Sequence, residues 1–491
     1  MKQTFFALVL LAVSHLSWAQ TLKTLVNQPP DGAGVGFLLT DGTVMFQGNN
    51  GSDWWKLTPD KFGSYLNGTW TQLASLPSNY SPYAFASATL ADGRVLIEGG
   101  EYNFAQFAFT DLGAIYDPAN NTWTNVNPPT NWGFIGDAPS AVLPNGKFLL
   151  GRKFDTRMAE LDPTTLKWTA VASTGKTDFD AEEGWTLMPD GTILTADVKN
   201  NPHTERYLPT TNCLPLLKPC WISAGNTPVN LQGPPQVGCI QYGQHQLYCP
   251  PGEIGPAILR PDGTVFATGA THQGQTTGHT AIYHPGVHLT DRGTWTAGPD
   301  FPNDDAGDNS AVLLPNGHVL VSGNSTRFYE FDGTRLIPEM FGDGFLLVLP
   351  TGEVIVNGSA LYKSTGTYQA SWAPKITSFP ATVAAGKTYK ISGQQFNGLS
   401  QAAAYGDELE TNTNYPLVRI TNSATHHVFY CKTHDHSTMA VATGTTPVFT
   451  MFDVPAKIET GASTLQVVAN GIPSKAVKVT VSAGTPAPDS Y

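Results

Sequence analysis

Apolar positions fall in short alternating runs along the chain, and each run is interrupted by a tight polar turn. The pattern reads FLLTDGTVMFQG from Phe37, ATLADGRVLIEGG from Ala88 and AVLPNGKFLLG from Ala141. It returns as TLMPDGTILTA from Thr186, AILRPDGTVFATG from Ala257, AVLLPNGHVLVSG from Ala311 and LLVLPTGEVIVNG from Leu346. Each copy predicts two antiparallel strands joined by a hairpin turn. Six copies carry Asp-Gly or Asn-Gly, which predicts two-residue turns with positive φ at both central residues. The seventh has Thr351-Gly352. A second signal follows several copies: an Asp-Pro or His-Pro turn and then a tryptophan. IYDPANNTW ends on Trp123, ELDPTTLKW on Trp168 and IYHPGVHLTDRGTW on Trp295; Trp70, Trp221 and Trp372 hold similar places. These runs predict a third and fourth strand per copy, with tryptophan packing between neighbouring sheets.

The turn glycines are Gly42, Gly93, Gly146, Gly191, Gly263, Gly317 and Gly352, about 52 residues apart on average, close to the kelch period. Seven four-stranded repeats predict an all-β, seven-bladed kelch-type β-propeller over residues 28–373. The pattern changes after Pro374. PKITSFPATVAAGKTYKISGQQFNG, with STLQVVANG and KAVKVTV further on, looks like an immunoglobulin-like β-sandwich of the TIG/E-set kind over residues 374–482. Residues 483–491 read as a disordered tail.

Composition sharpens this. Charged residues are only 13% of the chain, while Gly (49) and Pro (37) are abundant and aromatics reach 11%. Disordered chains lack such aromatics, and helical bundles do not tolerate so much Gly and Pro. The formal charge of −12 and the absence of basic runs argue against a nucleic-acid partner. Lys2, the apolar run Phe5–Val13 and Ser17-Trp18-Ala19 form a secretory signal cleaved after Ala19 (residues 1–19). No other apolar run approaches membrane-spanning length, so a secreted or periplasmic protein is expected. Four of the five cysteines, Cys213, Cys220, Cys239 and Cys249, cluster in the long fourth repeat. Disulfides Cys213–Cys220 and Cys239–Cys249 close the shortest loops; a zinc site is the alternative.

An export signal, seven kelch-type repeats and an immunoglobulin-like domain together resemble the galactose oxidase and glyoxal oxidase family. The resemblance implies a mononuclear copper on the propeller axis, held by two tyrosines and two histidines, one tyrosine being cross-linked to a cysteine. Residue by residue, the copper radical site is not carried over. The cysteine position falls on Ala33, the first tyrosine position beside Tyr83 at Ala84, and the Tyr-His pair on Gly307-Asp308. The family's remaining histidine lies on a C-terminal-domain loop, where this chain has ATHHVFYCKTHDHSTM. His434 and His436 are therefore the metal-capable candidates at the propeller mouth.

The starts of the inner strands carry acids instead. Asp137, Glu182, Glu183, Glu253, Asp305, Asp308 and Asp343 all lie shortly before a turn glycine. Arg152, Lys153 and His272 follow second strands that return to the same end. In a propeller these positions converge on the axis, where carboxylates could bind a cation or serve as acid and base. Glu182, Glu183, Glu253, Asp305 and Asp308 are the catalytic candidates. Tyr83, Tyr102, Asp137, Lys153, His272 and Asp343 are the ligand-binding candidates. Two functional expectations stand together. One is an axial mouth binding a glycan or other extracellular ligand. The other is an extracellular enzyme, hydrolytic, metal-dependent or a diverged oxidase, working through the acids and the C-terminal histidines.

Overall fold

The computed structural model describes residues 20–213, 218–233, 240–242, 246–248, 252–271, 277–405 and 410–484; for 210–213, 218, 240–242, 246–248 and 403–405 it describes the backbone alone. The expected export signal, Cys239, Cys249, His272 and the tail from 485 onward lie outside the described residues. Cys220 is disulfide-bonded. Its partner lies beyond the described side chains.

Each copy of the repeat opens an antiparallel sheet. In the first, Gly36–Leu38 pairs with Val44–Gln47, then come Trp54–Thr58 and Thr69–Gln72. The inner strands of the next six are Ala86–Thr89, Ser140–Val142, Thr186–Leu187, Ile254–Leu259, Ser310–Leu313 and Leu346–Val348. The seventh sheet takes only three strands from its own repeat. Its outer edge is Thr21–Thr24, paired with Ala360–Lys363. Trp372 was expected on that edge. Because the N-terminal strand already holds it, Trp372 sits instead in the short 3-10 helix Ala370–Trp372, against the Gly317 turn.

The turns differ from the two-residue form. Gly42 N–H donates to Leu39 O at 3.0 Å and Leu39 N–H to Thr43 O at 2.8 Å. This is a three-residue loop, a type I turn followed by one left-handed residue. Only the glycine has positive φ, 76° at Gly42 and 82–87° at its six counterparts. The acidic or amide residue has another task. Asp41 Oδ1 accepts the Thr43 N–H at 3.0 Å. Asp92, Asn145, Asp190, Asp262 and Asn316 each accept the corresponding N–H at 3.0 Å. The Asp/Asn-Gly pair thus supplies a side-chain acceptor and then a residue without Cβ.

Inner strands of neighbouring sheets touch from the first to the third and from the fourth to the seventh, and the seventh touches the first. Outer-strand tryptophans tie neighbouring sheets together. Trp123 Nε1 donates to Ala74 O at 3.0 Å, Trp168 Nε1 to Asn127 O at 2.7 Å and Trp70 Nε1 to Asn27 O at 3.0 Å. Each bond satisfies an indole that packing would otherwise strand, worth about 1 kcal/mol.

Beyond Pro374 the strands form one β-structure around Val383, Ile391, Val418, Ile420, Phe452, Leu465 and Val479. Cys431 is a free thiol buried in that core. This unit docks on the turn side of the sheets. Thr433 N–H reaches Thr40 O at 3.1 Å, and Met439 N–H reaches Pro144 O at 3.1 Å. Its residues 398–405 and 410–416 run in among the inner strands. Ala403–Tyr405 pairs with Ser310–Val312. Gln401 Oε1 accepts the Leu187 N–H at 3.1 Å, and Asn412 bonds both backbone groups of Thr89.

Candidate functional site

The rim opposite the turns is built from the segments that lead into each inner strand. Lys153, at the end of the second strand of sheet three, is 1% exposed. Its ammonium bonds Asp137, and Glu182 Oε1 at 2.7 Å. Both acids are buried, and Oδ1 of Asp137 has no hydrogen-bond partner. Glu101, Glu253 and Asp308 belong to the same electrostatic group. Burial raises the Glu101 carboxyl, Lys153 opposes that, and Glu182 and Asp308 add to it. Burial pushes Glu253 up to about 11, helped by Glu182 and Asp308. Asp308 is pushed up to about 6, by burial first and Glu182 next. Glu253 and Asp308 share a hydrogen bond that raises the first and lowers the second. The protonated Glu253 therefore donates to an Asp308 carboxylate. Asp308 is exposed to solvent yet surrounded by protein mass. Glu182 and Asp308 have φ of 57° and 51°. Non-glycine residues seldom hold such a backbone without compensation elsewhere.

Beside this group stands an aromatic ridge. Pro82–Tyr83, Tyr102–Asn103 and Gln106–Phe107 make a small three-stranded sheet above sheet two. Its turn is the two-residue kind, with φ of 52° at Phe104 and 56° at Ala105. Tyr83 and Tyr102 rings lie 6.1 Å apart, Tyr102 and Phe107 5.9 Å, Phe107 and Phe109 4.3 Å, and Phe109 and Phe154 4.6 Å. Lys153 Nζ lies 5.7 Å from the Phe109 ring centre, which joins ridge and acids. Tyr83 is 50% exposed. Together with Tyr102, Phe85, Phe345, Gln47 and Asn49 it lines a cavity of about 610 Å³. Glu101 comes three residues after the second strand of sheet two and directly before Tyr102, a cavity-lining residue, while its charge interacts with Lys153, Glu182 and Asp308. The reasoning that picked Lys153, a residue just past a second strand, would have found it.

Four expected residues fall elsewhere. Asp305 accepts bonds from Thr271 Oγ1, the Gly307 N–H at 2.9 Å and Asn324 Nδ2 at 2.7 Å, which makes it a loop organiser. Asp343 is exposed on the rim, outside the acid group. His434 and His436 lie on the turn side, where the His436 N–H reaches Ala91 O at 3.4 Å. His436 stacks on Tyr415 and bonds Thr450 Oγ1 at 2.8 Å. Burial pushes it down to about 3, so it is neutral. The hairpin carrying these histidines bears on the turns, while residues 401–405 and 410–412 bond the inner strands. Arg152 is also diverted: it stacks on Phe134 at 3.5 Å and bonds Trp132 O at 2.7 Å.

Glu183 belongs to a second buried cluster, under sheet four. Lys176 Nζ donates to both Glu183 oxygens at 2.8 Å and to Glu205 Oε2 at 2.9 Å, and lies 3.8 Å from Asp180. Burial disfavours the Lys176 charge, but Glu183, Asp180 and Glu205 outweigh it and hold the ammonium above its usual range. Asp197 bonds His203 Nδ1 at 2.7 Å and is pushed up to about 6, chiefly by burial. Asp197, His203 and Glu205, and likewise Asp178, Glu183 and Asp197, present ligand atoms within 4.8 Å of one another, close enough to surround an ion. The Lys176 ammonium already serves as the cation for Glu183 and Glu205.

Around Lys153 the described residues offer carboxylates and one ammonium, and the cavity beside Tyr83 and Tyr102 is lined by no described histidine, where a copper radical centre needs tyrosinate and imidazole. That donor set does not fit such a centre. Among the described residues, no helix is long and apolar enough to cross a membrane. No family model and no curated protein matches this chain. Among solved structures it is similar to a fungal alcohol oxidase of the AA5 family in complex with copper, at 13% identity and a TM-score of 0.48, over 94% of this chain and 98% of the other. It is also similar to a streptogramin B lyase, at 10% identity and 0.44, over 70% and 97%. A third similarity is to the extracellular domain of BT4673 from B. thetaiotaomicron, at 10% and 0.44, over 95% and 58%.

Proposed function

We propose that this protein is an exported seven-bladed kelch-type propeller with a C-terminal immunoglobulin-like domain, and that its rim binds a glycan. Seven sheets in a ring, closed by the N-terminal strand, support the propeller. The observation that carries the function is the cavity beside the Tyr83–Tyr102 pair. Paired aromatic faces at the edge of a concave site suit the C–H face of a sugar ring, and Gln47 and Asn49 supply amides for its hydroxyls. Glycan-array screening followed by calorimetry tests this. Tyr83→Ala and Tyr102→Ala should each weaken the best ligand at least about tenfold, some 1.4 kcal/mol. Unchanged affinity in both variants overturns the reading. Cleavage after Ala19 is checked by N-terminal sequencing of the exported protein.

A second reading rests on the Glu253–Asp308 pair. A carboxylic acid protonated at neutral pH, bonded to a carboxylate, forms a pair that shares one proton and can activate a water for hydrolysis. Glu253→Gln should then abolish release of reducing ends while leaving sugar affinity intact. Hydrolysis that survives this substitution removes the pair from the chemistry.

A further inference from the structure

The mouth departs from an ordinary sugar site in its charge. Among the described residues, Glu101, Asp137, Glu182, Glu253 and Asp308 gather around the Lys153 ammonium, each acting on at least one of the others. Carboxyls this close and this enclosed repel one another and are driven toward their neutral forms, a condition that an incoming cation relieves. The buried Oδ1 of Asp137 faces this group without a hydrogen-bond partner.

The kind of cation follows from the one these acids already hold among the described residues. Lys153 shows that chemistry already, its ammonium bridging Asp137 and Glu182. The aromatic ridge adds a face that attracts an ammonium as well as a sugar C–H surface.

Resting on the glycan reading above, we infer that the ligand is an amino sugar carrying an unacylated ammonium, its ring laid against Tyr83 and Tyr102 and its ammonium turned toward Glu101 and Asp308. Glu101 is the acid that connects the cavity to the cluster, and Asp308 is the solvent-exposed one. An anionic, uronate-bearing glycan would meet repulsion at the same place.

The test uses the full chain and two ligands of equal length, the tetrasaccharide of glucosamine and that of N-acetylglucosamine, by calorimetry at pH 7 and low salt. The amine form should bind at least about tenfold more tightly. In Glu101→Gln/Asp308→Asn that preference should fall to about threefold or less. Asparagine tolerates the left-handed backbone of position 308, so the variant keeps the local fold. Equal binding of both ligands overturns the ammonium assignment and leaves the glycan reading standing. Binding of neither overturns both. A preference for the amine that survives the double variant overturns the assignment of these two acids.

Discussion

Replacing Lys176 with methionine removes the ammonium from the cluster under sheet four at nearly constant volume. Three hydrogen bonds of 2.8–2.9 Å, to Glu183 and Glu205, disappear together. Bonds to charged groups are worth about 1.5–3 kcal/mol each, but they act on shared acids and do not add. The applicable figure is the loss on breaking a buried ion pair, about 3–5 kcal/mol. The loss should depend on pH. Without Lys176 the folded-state pKa of Glu183, already raised by burial, rises further above its unfolded value near 4.5. Stability from a raised carboxyl is fully present below the unfolded pKa and is lost as pH rises toward the folded one. The deficit is therefore small near pH 5 and full near pH 8. Lys176 Nζ lies 4.8 Å from the Trp221 ring centre, so tryptophan fluorescence during guanidinium unfolding reports on this site. Lys176→Met/Glu183→Met should recover part of the loss, since an apolar pair replaces an uncompensated acid. A deficit under about 1 kcal/mol at pH 8, or one independent of pH, refutes the account.

The remaining predictions concern separate features. Glu98 is fully buried, both its carboxylate oxygens lack hydrogen-bond partners, and burial raises its pKa well above 4.5. Glu98→Gln should therefore flatten the decline of stability with pH above about 5, read from thermal melts between pH 5 and 9. A parallel decline in wild type and variant removes Glu98 as its source. Gly263→Ala tests turn conformation alone, because a Cβ there meets nothing within 4 Å; it should lose about 1–2 kcal/mol. Gly42→Ala should lose clearly more, because its Cβ would come within 2.5 Å of Tyr430 on the docked C-terminal unit. Equal losses in calorimetric scans would show that this docking does not depend on close approach at Gly42. Trp168→Phe removes the bond to Asn127 O and should cost about 1 kcal/mol; no change in denaturant midpoint counts against the inter-sheet role of the indole.

What could be read from the chain follows the repeat. Each turn needs a side-chain acceptor and then a residue free of Cβ, so Asp/Asn-Gly recurs visibly at all but one turn. Counting back from those glycines places Asp137, Glu182, Glu253 and Asp308 at one end, and the structure groups them. Residues set by tertiary contact are another matter. Glu182 and Glu183 are neighbours in sequence, yet one faces the mouth and the other meets Lys176. His434-Asp435-His436 had the look of a metal motif, but nothing in a hairpin's own residues states which way it points. The segment that does enter the channel, Glu410-Thr-Asn-Thr-Asn414, is wholly buried. A polar run of that kind reads locally as a surface loop.

That segment explains why the mouth is so acidic and so reluctant to ionise. Strands that line a ring each turn one edge of unpaired N–H and C=O groups toward the centre, and such groups are costly when buried without partners. Gln401, Glu410 and Asn412 bond the backbone of Leu187, Trp185 and Thr89, and Ala403–Tyr405 pairs with the sixth inner strand. The last of these pairs sets Tyr405 opposite Ser310, two residues beyond Asp308. The described part of the filling reaches Tyr405, just beneath the acids. There Glu253 and Asp308 lose part of their hydration, and burial is the largest cause of both shifts. The polar insertion that satisfies the inner edges thereby also helps hold the carboxyl groups above it in the state that a cationic ligand would relieve.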